Sequence, residues 1–128
     1  MDQDQIRAQI LEEFLKNIGC IADEQYQQRV WVRAEGPECN DIHDAVCDFF
    51  DDGNPILEKY QDYGITSSQL NALWTLHREL SEFTDMEGVC NPYKSTEKLV
   101  QMPKWQEIRN LAKQVLEEFN FHQKSPFT

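Results

Sequence analysis

The stretch at residues 66–83, TSSQLNALWTLHRELSEF, constrains the fold more than any other part of the chain. At about 100° per residue, its apolar side chains fall on one helical face that covers roughly half of the circumference. This face consists of Leu70, Leu73, Trp74, Leu76, His77, Leu80 and Phe83. Thr66 and Gln69 have the spacing of an N-terminal capping box. We therefore predict a central helix whose wide apolar face is covered by several neighbouring helices.

The length and composition predict one globular domain over residues 1–128. A folded chain of 128 residues buries roughly two-thirds of its extended surface, which is enough for a core of its own. The hydrophobic content of 40% is typical of globular proteins. No run of about 18 apolar residues is present, and the N-terminus has acids where a signal peptide has bases. We expect a cytoplasmic protein with no membrane partner.

The N-terminal half contains further helical patterns. Residues 3–18 carry an apolar arc that Gly19 is expected to end. Residues 23–34 alternate like a strand around Trp31, but no second strand is available to pair with them, so a helix is favoured. A helix over 40–52 has Asn40 as its predicted N-cap, and the turn 52–55 is expected to start a short helix that ends at Gly64. The apolar arc of the first segment is Ile6, Ile10, Leu11, Phe14, Leu15 and Ile18.

The C-terminal part predicts a loop followed by one more long helix. Residues 84–94 are interrupted by Gly88 and Asn91-Pro92, which is typical of a loop. Ser95 is expected to cap a short turn, and Pro103 to open the last helix. Residues 119–128 are predicted to form a frayed tail. The fold class is therefore all-α: a single compact bundle of five or six helices with short connections. The apolar arc of the last helix is Trp105, Ile108, Leu111, Ala112, Val115, Leu116 and Phe119.

No residue pattern predicts a metal, a cofactor or catalysis. The four cysteines, Cys20, Cys39, Cys47 and Cys90, are expected to be free thiols in a chain without an export signal. Cys39, His43 and Cys47 recur every four residues, but on one helix the first and third would lie about 12 Å apart. The segment DFFDDGN at 48–54 has phenylalanines where a calcium loop needs oxygen ligands. His77 is interpreted as a neutral, hydrogen-bonded core residue, so we predict no enzyme.

The net charge of −11 is concentrated in one fifth of the sequence. Residues 35–62 contain nine acids and one base, Lys59, whereas the rest of the chain contains fourteen acids and eleven bases. Five aspartates share one face of the predicted third helix, and two further acids lie one turn apart on the next. We call these seven residues the acidic face and predict that they bind a partner: Asp41, Asp44, Asp48, Asp51, Asp52, Glu58 and Asp62.

The acidic face has two interpretations. It is either an ordinary solvated helix surface or a surface kept for a basic protein partner. Like charges at i,i+3 and i,i+4 each cost about 0.2–0.5 kcal/mol, and the later aspartates lie where the helix dipole disfavours anions. This small sacrifice of stability favours a basic protein, which the acids would steer and orient. The same charge repels nucleic acid, so none is expected as a partner.

The segments NPILEKYQDYGITSSQLNALWTLHRELSEF and MPKWQEIRNLAKQVLEEFN resemble the small helical immunity proteins of bacterial polymorphic toxin systems, including contact-dependent growth inhibition. The resemblance covers roughly residues 40–120 and is one of size, acidity and helix order. It carries over no functional residue. It implies a cytoplasmic protein that binds and neutralises a cognate toxin domain, often a nuclease. Nuclease domains tend to be basic, which agrees with an acidic inhibitor.

Two other functions remain open at this point. The first is an acidic adaptor or regulatory protein, including a nucleic-acid mimic, that binds a basic host protein. The second is a helical enzyme that uses His77, which would require a pocket beside it. A toxin-type gene next to this one would favour the immunity protein over both.

Overall fold

The computed structural model describes residues 2–38, 41–87 and 95–121, and within these ranges the chain forms helices and no strand. This confirms the predicted all-α bundle. None of the helices in these ranges combines the length and apolar character of a membrane-spanning segment. The helices are α1 (Gln3–Ala22), α2 (α-helical over Glu24–Tyr26 and π-helical over Gln27–Val32), α3 (Ile42–Glu58), α4 (Ser67–Glu87), α5 (Thr96–Val100) and α6 (Pro103–Glu118).

Two antiparallel helix pairs form the centre of the bundle. In the first pair, α1 runs against α3, with the rings of Phe14 and Phe49 5.4 Å apart. In the second pair, α4 runs against α6: Gln69 at the start of α4 donates to the carbonyl of Glu118 at the end of α6 over 3.2 Å. Helix α1 also packs against α6, which joins the two pairs around one cluster of buried apolar side chains.

The central helix buries most of the face that the sequence indicates. Helix α4 buries Leu73, Leu76, Leu80 and Phe83 almost completely. Trp74 is the exception: its side chain is 48% exposed, so the prediction of a core tryptophan was wrong. Trp74 lies at the edge of the apolar arc, and the described residues leave about half of its side chain uncovered there.

The predicted N-terminal signals of three helices are confirmed. Thr66 and Gln69 form a reciprocal capping box, in which each side chain accepts from the other residue's backbone N–H, over 3.2 and 2.9 Å. Ser95 caps α5 by accepting from the N–H of Lys98, and Pro103 occupies the first turn of α6. The apolar arc of α6 supplies four core residues: Trp105, Ile108, Ala112 and Val115.

Helix α1 does not end at Gly19, as predicted, but continues to Ala22. Gly19 is buried inside the helix, and Asp23 provides the break instead, because its side chain accepts from the N–H of Tyr26 and so caps α2. The beginning of α1 also differs from the prediction. Ile6 and Ile10 are 40% and 41% exposed, so this part of the predicted apolar arc lies outside the core.

The predicted turn at residues 52–55 is absent, because α3 continues through it to Glu58. Tertiary contacts override the local signals. A Cβ on Gly53 would lie 2.9 Å from the ring of Phe14, so the glycine permits the close approach of α1 and α3 rather than a turn. Burial of Ile56 and Leu57 then favours continuing the helix past Pro55. The predicted separate helix up to Gly64 is instead a series of turns over residues 59–64.

The predicted loop at 84–94 begins later than expected, since α4 extends to Glu87; residues 88–94 lie outside the described ranges. The predicted cap Asn40 also lies outside them, and Asp41 caps α3 instead. Of the predicted tail, residues 122–128 are not described, whereas Phe119 and Phe121 pack against the core.

Helix α2 confirms the choice of helix over strand at residues 23–34, although it ends at Val32. Its first π-helical residue, Gln27, is fully buried and joins three helices. Its amide Nε2 donates to the carbonyls of Cys20 and Ile21 at the end of α1, and its Oε1 accepts from Trp105 Nε1 and Arg109 Nε on α6. All its side-chain hydrogen-bonding groups are therefore used within the protein.

Candidate functional site

The first two acids of the acidic face have a structural role. Asp41 is the N-cap of α3: its side chain accepts from the N–H of Asp44 over 2.9 Å, and the Asp44 side chain accepts from the N–H of Asp41 over 3.3 Å. This reciprocal arrangement satisfies two backbone donors at the helix start, where the dipole also favours negative charge. Folding alone therefore explains acids at these two positions.

The next three acids, Asp48, Asp51 and Asp52, are exposed and lie in the middle of α3. They are close enough to affect one another. The pKa of Asp52 is raised above its ordinary value, first by partial burial and then by the charges of Asp48 and Asp51. No helix terminus or cap accounts for these three residues.

Glu58 and Asp62 are placed differently from the prediction. They do not share a second helix, because Glu58 is the last residue of α3 and Asp62 lies in the following turns. Asp62 lines a groove with Tyr63 and the N-terminal half of α1. Asp52 lines a groove on the other side of Ile6 and Ile10. The structure therefore brings two acids of the face, Asp52 and Asp62, beside the exposed start of α1.

The ion pairs among the described residues lie outside the acidic face. Within residues 2–38, 41–87 and 95–121, seven lysines and arginines pair with acids, and every one of those acids lies outside residues 41–62. For example, Arg29 Nη2 contacts Glu38 Oε2 at 2.6 Å, and Lys104 pairs with Glu79 across α6 and α4. The seven acids of the face, all exposed, have no such cation in this part of the chain.

The raised pKa of Asp52 gives a testable pH dependence. A carboxyl group whose pKa is higher in the folded than in the unfolded state destabilises the fold when it is ionised, and this penalty disappears as the pH falls below its ordinary pKa of 3.8. Asp52→Asn should therefore raise the free energy of unfolding at about pH 7 by about 0.2–0.5 kcal/mol, because it relieves the repulsion from Asp48 one helical turn away. Urea unfolding at about pH 7 and pH 3 measures this, and the difference from wild type should shrink at the lower pH.

Glu107→Gln serves as the control for this measurement, because Glu107 is exposed in the middle of α6, pairs with Lys104 over 3.6 Å and lies far from residues 41–62 in the sequence. It should give no gain in stability. An Asp52→Asn protein that is less stable than wild type at neutral pH would contradict the expected repulsion.

His77 is half-buried and hydrogen-bonded, in agreement with its interpretation as a packing residue. Its Nε2 donates to Asn54 Oδ1 over 2.9 Å, its ring contacts Phe50 edge-on, and burial lowers its pKa. Cys47 Sγ lies 3.7 Å from the ring nitrogens of His43, whereas Cys39 is outside the described residues. Within those residues, no group of three or more histidine, cysteine or acidic side chains is arranged to hold a metal.

The residues that sequence analysis missed are Ile6 and Ile10. Periodicity places them on the apolar face of α1, but it does not show that this part of the face stays partly exposed. Both residues line the two grooves that also contain Asp52 and Asp62. The low apolar content of residues 1–9, compared with 10–22, was the available signal that Ile6 is less deeply covered, and no comparable signal marks Ile10.

The fold and this surface define the class of protein: a small helical bundle with an exposed acidic face next to a partly exposed apolar strip. Comparisons with protein-family models, characterised proteins and solved structures found no match.

Proposed function

We propose that this protein binds a basic protein domain through its acidic face, and that it acts as an immunity protein that neutralises a cognate bacterial toxin domain. The observation that carries the proposal is the distribution of ion pairs. In the described part of the chain, lysines and arginines neutralise acids elsewhere, whereas all seven acids of the face are exposed and without a paired lysine or arginine.

Charge of this kind acts on association more than on folding. A surface of one sign attracts an oppositely charged partner and raises its association rate, by about 10- to 1,000-fold at low salt. A toxin domain that acts on nucleic acid needs a basic surface for its polyanionic substrate. An acidic protein bound there would cover that surface and exclude the substrate. The toxin as partner follows from the sequence resemblance.

Charge reversal at Asp48 and Asp51 tests the role of the acidic face. These two residues are chosen because Asp41 and Asp44 cap α3, so that changing them would also weaken the fold. The partner is first captured with the tagged full-length chain from its native host and identified by mass spectrometry. For Asp48→Lys/Asp51→Lys we expect an association rate at least about tenfold lower at 0.1 M salt, with thermal stability unchanged or slightly higher.

The control variant Glu97→Lys/Glu117→Lys changes the net charge equally at exposed acids outside the face. It should bind nearly as well as wild type. Equal binding by both double variants, or binding that does not weaken with salt, would refute the role of the acidic face. Capture of a basic host protein, with no toxin encoded nearby, would identify an adaptor instead of an immunity protein.

A further inference from the structure

We infer that the exposed strip of Ile6 and Ile10, with Asp52 beside it, is a docking site for a basic amphipathic helix of the protein partner. This inference rests on the proposed function and specifies which segment of the partner is recognised. It adds an apolar contact, through Ile6 and Ile10, to the acidic face, which was predicted from charge alone.

The geometry of the strip supports docking. Ile6 and Ile10 are one helical turn apart on α1 and keep 40% and 41% of their surface exposed. A groove of about 300 Å³ lies between them and Asp52 of α3, with Gln9 and Glu13 completing its lining. A second groove of about 340 Å³ lies on the other side, towards Tyr63 and Asp62, and is also lined by Arg7 and Lys59, so the cations of a bound helix are expected on the Asp52 side. The two isoleucines therefore form an apolar ridge between two shallow grooves.

Such a ridge suits an apolar helix face. A helix presents apolar side chains at i and i+3 or i+4, which matches the one-turn spacing of Ile6 and Ile10. Its large side chains would enter the grooves on either side of the ridge and remove both isoleucines from water. Each buried apolar side chain contributes affinity in proportion to the area removed from water.

The charges that line the first groove indicate that the bound helix is basic. The groove towards α3 is lined by two acids, Glu13 and Asp52, and Asp48 lies one turn from Asp52. Arginines or lysines that flank the apolar residues of a bound helix would reach these carboxylates. The partial burial and crowding that raise the pKa of Asp52 would be offset by such a cation. A second copy of this chain is disfavoured, because with a net charge of −11 it would bring further acids to the same place.

The test uses synthetic peptides and the full-length protein. The probe is a helical peptide with leucines on one face and lysines on the other. One matched peptide replaces every leucine with serine, and another replaces every lysine with glutamate. Calorimetric titration gives affinities, and amide chemical shifts of the ¹⁵N-labelled protein locate the site. We expect the leucine–lysine peptide to bind at least about tenfold more tightly than either matched peptide, with the largest shifts at Ile6, Ile10 and Asp52.

Variants of the protein separate this site from general attraction of cations. Ile10→Ser should weaken binding of the leucine–lysine peptide about tenfold, whereas Trp74→Ser, which removes a large exposed apolar side chain of α4, should have little effect. Equal losses in the two variants, or the largest shifts elsewhere, would overturn the inference. Shifts of the same amides with increasing protein concentration alone would also overturn it, because they would identify a second copy as the occupant.

The failure of this inference is distinguishable from failure of the proposed function. If Ile10→Ser has no effect on captured-partner binding while Asp48→Lys/Asp51→Lys abolishes it, the acidic face acts without the groove. If the charge reversal has no effect either, both proposals fail.

Discussion

Replacing Gln27 with leucine should lower the free energy of unfolding by about 3–5 kcal/mol. Leucine has a similar volume but leaves Trp105 Nε1 and Arg109 Nε without the oxygen that accepts from both, at 2.9 and 2.8 Å. Arg109 is only 3% exposed, and its remaining hydrogen bonds go to Gln106 and to the carbonyl of Val100. When a buried cation loses a hydrogen-bond acceptor, part of the free-energy cost of removing it from water is no longer offset.

Urea unfolding followed by circular dichroism measures this loss. Gln25→Leu is the matched control, since Gln25 is exposed in the same short helix and makes no comparable contact across the core. It should change stability by less than about 0.5 kcal/mol. A loss below about 1 kcal/mol for Gln27→Leu would contradict the importance of the network and would indicate that water replaces the missing amide.

Truncating Leu80 to alanine should cost about 2–5 kcal/mol, because it removes buried methyl groups and leaves a cavity. Leu80 has no exposed surface and lies on the face of α4 that packs towards the core. Thermal or urea unfolding measures the loss, with the partner absent so that binding does not mask it.

Trp74→Ala provides the contrast on the same helix. Although tryptophan is larger, Trp74 is 48% exposed, and its ring lies against that of His77 with centroids 5.1 Å apart. Its loss should cost less than that of Leu80. If Trp74→Ala proved the more damaging of the two, the orientation of α4 in the bundle would be wrong.

Local sequence patterns predicted the fold where a single helix determines the outcome. The capping box of Thr66 and Gln69 depends on residues three apart, and the arc around Trp105 depends on helical periodicity. The prediction was wrong where packing against a helix that is distant in the sequence determines the local structure. Gly53 is a strong local signal for a turn, and only the ring of Phe14 against it shows that the glycine permits helix packing. Tertiary contact of this kind has no local signature.

The candidate site also has features that one helix determines and features that depend on contact between helices. Helical periodicity places Asp48, Asp51 and Asp52 together because they lie on one helix, and the structure keeps them on one element. Periodicity could not show that Asp41 and Asp44 form the capping box of α3, because the predicted N-cap was Asn40. Nor could it show that α1 leaves Ile10 beside Asp52, since that proximity depends on how far two helices overlap.

The contacts of Gln27 have a consequence for the order in which the bundle assembles during synthesis. Helices α1 and α3 can pair through Phe14 and Phe49 before the last helix has been made. The groups that donate to Gln27 Oε1 belong to Trp105 and Arg109, about 80 residues later in the chain. Until α6 emerges, this oxygen has only water to bind, so the segment that contains Gln27 gains its full stability last. A nascent chain that stops before α6 also lacks the helix that packs against α1 and α4, so it should be cleaved by protease more readily than the full-length chain.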